Sequence, residues 1–271
     1  MRDNSQITYP RGACLSSFWL RIIALVTMIC DHVGYTGLSD LWWLRLVGRT
    51  AFPLYAFLLV EGFYHTHDIK KYALRLTVFA LLAELPFNYM ATLGRSFKNA
   101  EHQSVMVTLL LGLGLICALD LIQRRFIVAS GGGTNARGDG GSNGVSYPQI
   151  ALALALTAAA IAAVCLIADW LHTDYKSWGI MLIAAMWLFR GRLWLIAASE
   201  VALFVFIMPA YASYIPLFGG FNAPFYGFAL LSLVFIALYN GKPGPKAKWL
   251  QYLFYAAYPL HMLLLGYLAS R

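Results

Sequence analysis

Charge is scarce in this sequence. Asp, Glu, Lys and Arg make up 12% of its 271 residues, while 60% are hydrophobic. Soluble domains carry about a quarter charged residues. Twelve acids and twenty bases cannot clothe a surface this apolar for water. An ordinary cytosolic enzyme and a disordered binder are excluded, which leaves an integral membrane protein. Cysteine is sparse too. Cys14, Cys30, Cys117 and Cys165 pair at no metal or redox spacing, so neither a zinc site nor a disulfide framework is expected. No convincing internal repeat is present, which speaks against a transporter built from inverted halves. The Gly-rich stretch 130–146 lacks the strand, helix and lysine of a phosphate loop. No basic stripe or nucleic-acid motif accompanies the net charge of +8, so that charge reads as a topology signal. The polar start, residues 1–14 with Arg2 and Arg11, leads into an apolar run without a small-residue cleavage site. That run is expected to be a retained span.

What is present is a series of apolar runs. Hydropathy predicts an all-α bundle of about nine spans, at 16–37, 41–63, 70–90, 105–123, 149–170, 177–189, 193–209, 223–239 and 249–268. The sixth is short enough to be tilted or re-entrant. Residues 210–222, with Pro216 and two glycines, read as an ordered outer loop or half-helix. The organisation is then a cytoplasmic segment 1–15, four spans over 16–123, a flexible Gly-rich cytoplasmic linker over 124–148 and the remaining spans over 149–271. Basic residues sort with this alternation. With the N-terminus inside, Arg2, Arg11, Lys70, Lys71, Arg124, Arg125, Arg137, Arg190, Arg192, Lys242, Lys246 and Lys248 are cytoplasmic. Only Arg95, Lys98, Lys176 and Arg271 lie outside. The bias predicts N-in and C-out in a bacterial inner membrane. Trp42, Trp43 and Trp178 read as interfacial belts.

Charges at membrane depth are costly unless paired or hydrated, so each marks a candidate site. The first span holds Asp31-His32, the second Arg45, Arg49 and Glu61, and the third Glu84 and Asn88. The seventh holds Glu200, and the ninth His261 just after Pro259. Counting helical rise, His32, Arg49, Glu84, Glu200 and His261 each fall roughly 7–14 Å below the outer ends of their helices. Five ionisable groups in one slab suggest a pocket open to the outer half of the membrane. Arg21 and His32 share a helix face about 16 Å apart. An elongated ligand with a phosphorylated head fits that interval, and coenzyme A has that shape.

Three blocks are distinctive: Met28-Ile-Cys-Asp-His-Val-Gly34, Gly48-Arg-Thr-Ala-Phe-Pro-Leu-Tyr-Ala-Phe57 and Ala83-Glu-Leu-Pro-Phe-Asn88. With the ending Phe254-Tyr-Ala-Ala-Tyr-Pro-Leu-His261, they resemble the TraX family over most of the chain. The Gly-rich insertion at 130–146 departs from that pattern. The resemblance implies a multi-pass membrane acyltransferase, named for a conjugation protein that acetylates the N-terminus of F-type pilin. It is similar to a wider acyltransferase superfamily whose first span carries an Arg/Lys-x10-His pattern with a catalytic His. Arg21 and His32 fit that pattern.

Acyl transfer from a thioester needs a base, an oxyanion donor and a device that holds both substrates. His32 is the natural base, because imidazole titrates near neutral pH. Asp31 lies about 100° round the helix from it, so a direct pair does not follow from spacing. Glu84 is the alternative orienting carboxylate, and Arg49 an oxyanion donor. Arg49 bridged to Asp31 or Glu84 would equally serve as a helix lock. Arg21, Arg75, Lys70 and Lys71 are the candidate coenzyme A ligands, although the positive-inside rule accounts for the lysines by itself. Asn88 and His261 are candidate acceptor contacts. His261 would otherwise bond a backbone carbonyl freed by Pro259. Asp169, His172, Asp174 and Tyr175 form an outer loop, solvated or shaping the acceptor site. The expected activity is acetyl transfer from cytoplasmic acetyl-CoA to a pilin N-terminal amine or an envelope sugar hydroxyl. A proton-coupled transporter and a non-enzymatic assembly factor are the alternatives.

Overall fold

The computed structural model describes residues 12–38, 40–98, 103–128, 147–208, 214–216, 222–245 and 248–271. The fold is helical. Its helices are α1 Ser17–Thr36, α2 Trp43–Gly48, α3 Ala51–His65, α4 Ile69–Ala91 and α5 Val105–Gln123. They continue with α6 Tyr147–Trp170, α7 Lys176–Leu188, α8 Leu193–Val201, α9 Ser232–Ala237 and α10 Lys248–Ala269. Two strands, β1 Tyr214–Pro216 and β2 Asn222–Pro224, pair antiparallel with Ile215 opposite Ala223.

Among the described residues, four segments are long and apolar enough to cross a membrane: Ser17–Thr36, Trp43–His65, Val105–Phe126 and Tyr147–Trp170. α6 shows what lipid exposure looks like. Its 24 residues span about 36 Å, longer than the roughly 30 Å hydrocarbon layer. Among them only Ala153 and Ala168 are buried, and much of its Ala/Leu surface is exposed, as a helix at the edge of a membrane bundle requires. α3 is the opposite case. Ala51–Leu54 and Ala56–Glu61 are all buried, against α1, α5 and α7. The core of Leu54, Phe63, Leu113, Ile116, Ile180 and Ile183 forms there.

The element boundaries have local causes. Gly37 closes α1 in the left-handed region at φ 69°, which glycine enters without strain. The second span is not one continuous helix. Pro53 lacks the N–H that would bond the Arg49 carbonyl. The chain tightens there, with Arg49 N–H donating to Leu46 O and Thr50 N–H to Val47 O, both at 3.2 Å. Asp68 caps α4 by accepting the Lys71 N–H at 3.0 Å.

One expectation changes. The eighth span is no uniform α-helix, since the 3-10 segment Phe225–Leu231 precedes the short α9. Of residues 210–222, Tyr214–Pro216 and Asn222 are described, and they lie in the paired strands; the rest of that stretch lies outside the described residues. Pairing satisfies backbone groups that an irregular loop would leave open. The Gly-rich stretch 130–146 lies outside the described residues. Arg124–Val128 extend α5 as a π-turn, and α6 begins at Tyr147.

Candidate functional site

α1 and α2 approach so closely that two glycines define their contact. A Cβ on Gly34 would meet the Arg45 side chain at 2.8 Å, and one on Gly48 would collide with Asp31. That proximity brings Asp31 to both arginines of α2 and the break after it. Arg45 Nη1 donates to Asp31 Oδ2 at 3.1 Å, and Arg49 Nη2 donates to the same oxygen. One carboxylate thus serves two guanidiniums. The remaining positive charge faces rings. The Arg49 guanidinium lies 5.1 Å from the Phe225 ring centre and 5.6 Å from that of Tyr226. Arg45 lies 5.3 Å from the ring centre of Tyr35. Aromatic faces attract cations through their quadrupole. Among the described residues, Asp31 Oδ1 and Arg49 Nε are buried without a hydrogen-bond partner. A polar ligand would satisfy both.

His32, next along α1, meets α10. Its Nδ1 is 2.7 Å from His261 Nε2. The ring planes lie within 8° of each other, with centres 5.0 Å apart. The short contact plus two ring radii roughly spans that separation, so the rings meet edge to edge rather than face to face. His261 Nδ1 is 2.7 Å from the Ala257 carbonyl. This differs from the carbonyl that Pro259 frees, which is that of Tyr255. A histidine side chain reaches back most easily to its own i−4 carbonyl.

A cavity of about 370 Å³ lies beside this pair, toward the start of α1. α1, α3, α4, α5 and α10 line it through Arg21, Tyr55, Leu58, His65, Tyr72, Arg75, Met106, Tyr255 and Tyr258, among others. Arg21 and Arg75, both electrostatic neighbours of Tyr72, are exposed. Among the described residues neither guanidinium has a hydrogen bond or ion pair. Tyr258 forms part of the lining. It is 4% exposed, and its ring stands edge-on to His261 with centres 5.8 Å apart. The cavity therefore runs from two cations to a tyrosine that touches the histidine pair. Its volume lies within the usual range for small-molecule sites, about 300–1,000 Å³.

The other candidates are placed differently. Glu84 does not orient His32. It accepts the Ser104 N–H at 3.0 Å, at the start of α5 where helix N–H groups lack partners. Lys70 and Lys71 are exposed and absent from the cavity lining. Lys71 pairs with Asp68 at 3.5 Å. Burial of the Asn88 side-chain oxygen without a partner keeps Asn88 an acceptor of unfilled capacity, though not beside His32 in any observed contact. Glu200 accepts from Ser232 Oγ at 2.9 Å, joining α8 to α9 away from the histidines. The slab predicted from depth therefore divides. Asp31 pairs with Arg45 and Arg49 and the adjacent His32 with His261, whereas Glu84 and Glu200 serve helix contacts. Asp169 accepts the Ser177 N–H at 2.8 Å and so shapes the outer loop. Sequence reasoning assigned Arg190 to a cytoplasmic segment without a partner. Its side chain is a buried partner of Glu61, at 2.7 and 3.3 Å, with its guanidinium 3.8 Å from the Tyr64 ring centre. The depth of Glu61 was the signal, because a carboxylate there needs a cation. The tyrosines of the cavity gave no comparable signal among sixteen in the chain.

Residues 16–269 match the family described as TraX protein. A segment of 84 residues, 30% of this chain, is 40% identical to the probable fimbrial assembly protein FimC, serogroup H1, of Dichelobacter nodosus. The match spans about a third, 34%, of that protein's length. No solved structure matches the chain.

Proposed function

The chain belongs to the TraX family, and on that premise we propose that it is a membrane-embedded acyltransferase. It takes an acetyl group from cytoplasmic acetyl-CoA and delivers it to an extracytoplasmic acceptor, the N-terminal amine of a pilin-like protein. It sits in a bacterial inner membrane with nine spans, N-terminus inside and C-terminus outside. The carrying observation is the cavity that joins the uncommitted cations Arg21 and Arg75 to Tyr258, and through it to His261 and His32. Phosphate oxygens of the donor meet the two guanidiniums. The apolar walls hold the pantetheine arm, and the thioester reaches toward the histidines. Lys70 and Lys71 have no part in this.

The chemistry balances without a further reagent. The acceptor nitrogen attacks the thioester carbonyl, forming a C–N bond, while His32 accepts the N–H proton. The C–S bond then breaks, and the imidazolium returns that proton to the departing thiolate. Arg49, with its unmatched Nε, is the oxyanion donor on offer, and Asp31 holds it in place. The amine acceptor is favoured over a sugar hydroxyl by the relative's description as a fimbrial assembly protein. That same description favours one competing reading, an assembly factor without catalysis. The two differ in a binding experiment on the purified full-length chain in detergent. The acyltransferase binds coenzyme A, and Arg21→Ala/Arg75→Ala weakens binding at least tenfold. A wild-type chain that is folded and fails to bind coenzyme A contradicts the acyltransferase and favours the assembly factor.

A further inference from the structure

We propose that His261 is a positioning residue that fixes the tautomer of His32, so that the two form a dyad anchored on the Ala257 carbonyl. This rests on the acyltransferase reading for its catalytic meaning but not for its geometry. The Ala257 carbonyl only accepts hydrogen bonds. His261 Nδ1 faces Ala257 O at 2.7 Å and must therefore carry a proton. In a neutral ring the other nitrogen, Nε2, is then a lone pair. That lone pair faces His32 Nδ1 at 2.7 Å in the common ring plane, so His32 Nδ1 carries the shared proton. The neutral form of His261 suits its surroundings. The charged neighbours of His32 are Arg45 and Arg49, both paired with Asp31. A cationic His261 would add a further positive charge beside these two guanidiniums.

The consequence falls on His32 Nε2. With Nδ1 protonated, Nε2 is the free basic nitrogen, held in one direction by two hydrogen bonds in series. When it accepts a proton from the acceptor amine, the resulting imidazolium still donates from Nδ1 to His261 Nε2, which stabilises the charge. An Asp or Glu orients the base in the familiar catalytic triad. Here Asp31 is committed to two arginines, and a second histidine takes the orienting place. A carboxylate would draw the base toward a permanent cation, whereas a neutral imidazole leaves it free to return the proton to the thiolate.

The test has a spectroscopic arm and a kinetic arm. Nitrogen NMR of histidine-labelled protein in detergent, with His32 assigned by difference against His32→Ala, reads which ring nitrogen is protonated. The dyad predicts protonated Nδ1 and bare Nε2 on His32 in the wild type. In His261→Ala the proton moves to Nε2, while His261→Gln, whose amide oxygen accepts from His32, keeps it on Nδ1. A wild-type His32 protonated on Nε2 overturns the dyad. So does a folded His261→Ala protein with an unchanged His32 spectrum. In the kinetic arm, His261→Ala lowers kcat about 100-fold with coenzyme A affinity unchanged, and His261→Gln restores much of it. A kcat unaffected by His261→Ala overturns the positioning role. Correct tautomers in a wild-type chain that transfers no acyl group would refute the acyltransferase and leave the dyad standing.

Discussion

Asp31 holds together two guanidiniums that would otherwise repel each other inside the bundle. It is 8% exposed and Arg49 9%, so their desolvation is offset only by their mutual contact and the surrounding rings. Asp31→Asn leaves both cations uncompensated. The expected loss is about 3–5 kcal/mol, read as a shift of the unfolding midpoint in detergent. Adding Arg49→Met should recover part of it, since a charge without a partner costs more than no charge. A double variant as unstable as the sum of both singles contradicts this coupling. The sequence already marked Asp31, His32, Arg49 and His261 as costly at membrane depth, and they form two pairs that meet at adjacent residues of α1, Asp31 with Arg49 and His32 with His261. It could not rank Glu84 below Asp31, because depth along a helix does not determine rotation about its axis. Glu84 points to the start of α5, and no spacing rule within one helix reveals that.

At the scale of elements, the contact between α1 and α2 is set by absent side chains. Gly48 packs its backbone against Asp31. Gly48→Ala must push Asp31 away from Arg49, with an expected cost of about 1–3 kcal/mol from overpacking and a matching loss of activity. A variant of wild-type stability and activity would show that the helices are not held this closely. Asp68 makes a smaller test outside the spans. The Lys71 backbone N–H holds its carboxyl below the ordinary range. A depressed folded value means that the cap stabilises α4 above the unfolded carboxyl range, and that this is lost as pH falls through the folded value. Asp68→Ala should therefore narrow the stability difference from wild type at acid pH, and an unchanged difference would show that the cap is not ionic. Helix positions were legible in the hydropathy, since long apolar runs have one solution in lipid. The break at Arg49–Thr50 was legible only as Pro53. The 3-10 stretch before α9 was not, because Phe225–Leu231 is as apolar as an ordinary span.

Over the whole molecule, basic residues and apolar surface describe one arrangement. α3 is enclosed, α6 is largely exposed, and the cavity lies between the start of α1 and the histidine pair. The proposed N-in, C-out topology in an inner membrane predicts that a cysteine placed at Ser142 reacts with an impermeant reagent only after that membrane is opened. One at Ser270 should react in intact spheroplasts, and the reverse pattern would overturn the orientation. The central claim is transfer itself. The most direct test incubates the purified chain in detergent with isotopically labelled acetyl-CoA and an extract of envelope proteins and glycans, followed by mass analysis of both. Label on an N-terminal amine of a pilin-like protein, present with wild type and absent with His32→Ala, is the predicted result. A folded wild-type chain that binds coenzyme A and leaves every acceptor unlabelled, or a His32→Ala chain that transfers as well as wild type, would contradict it.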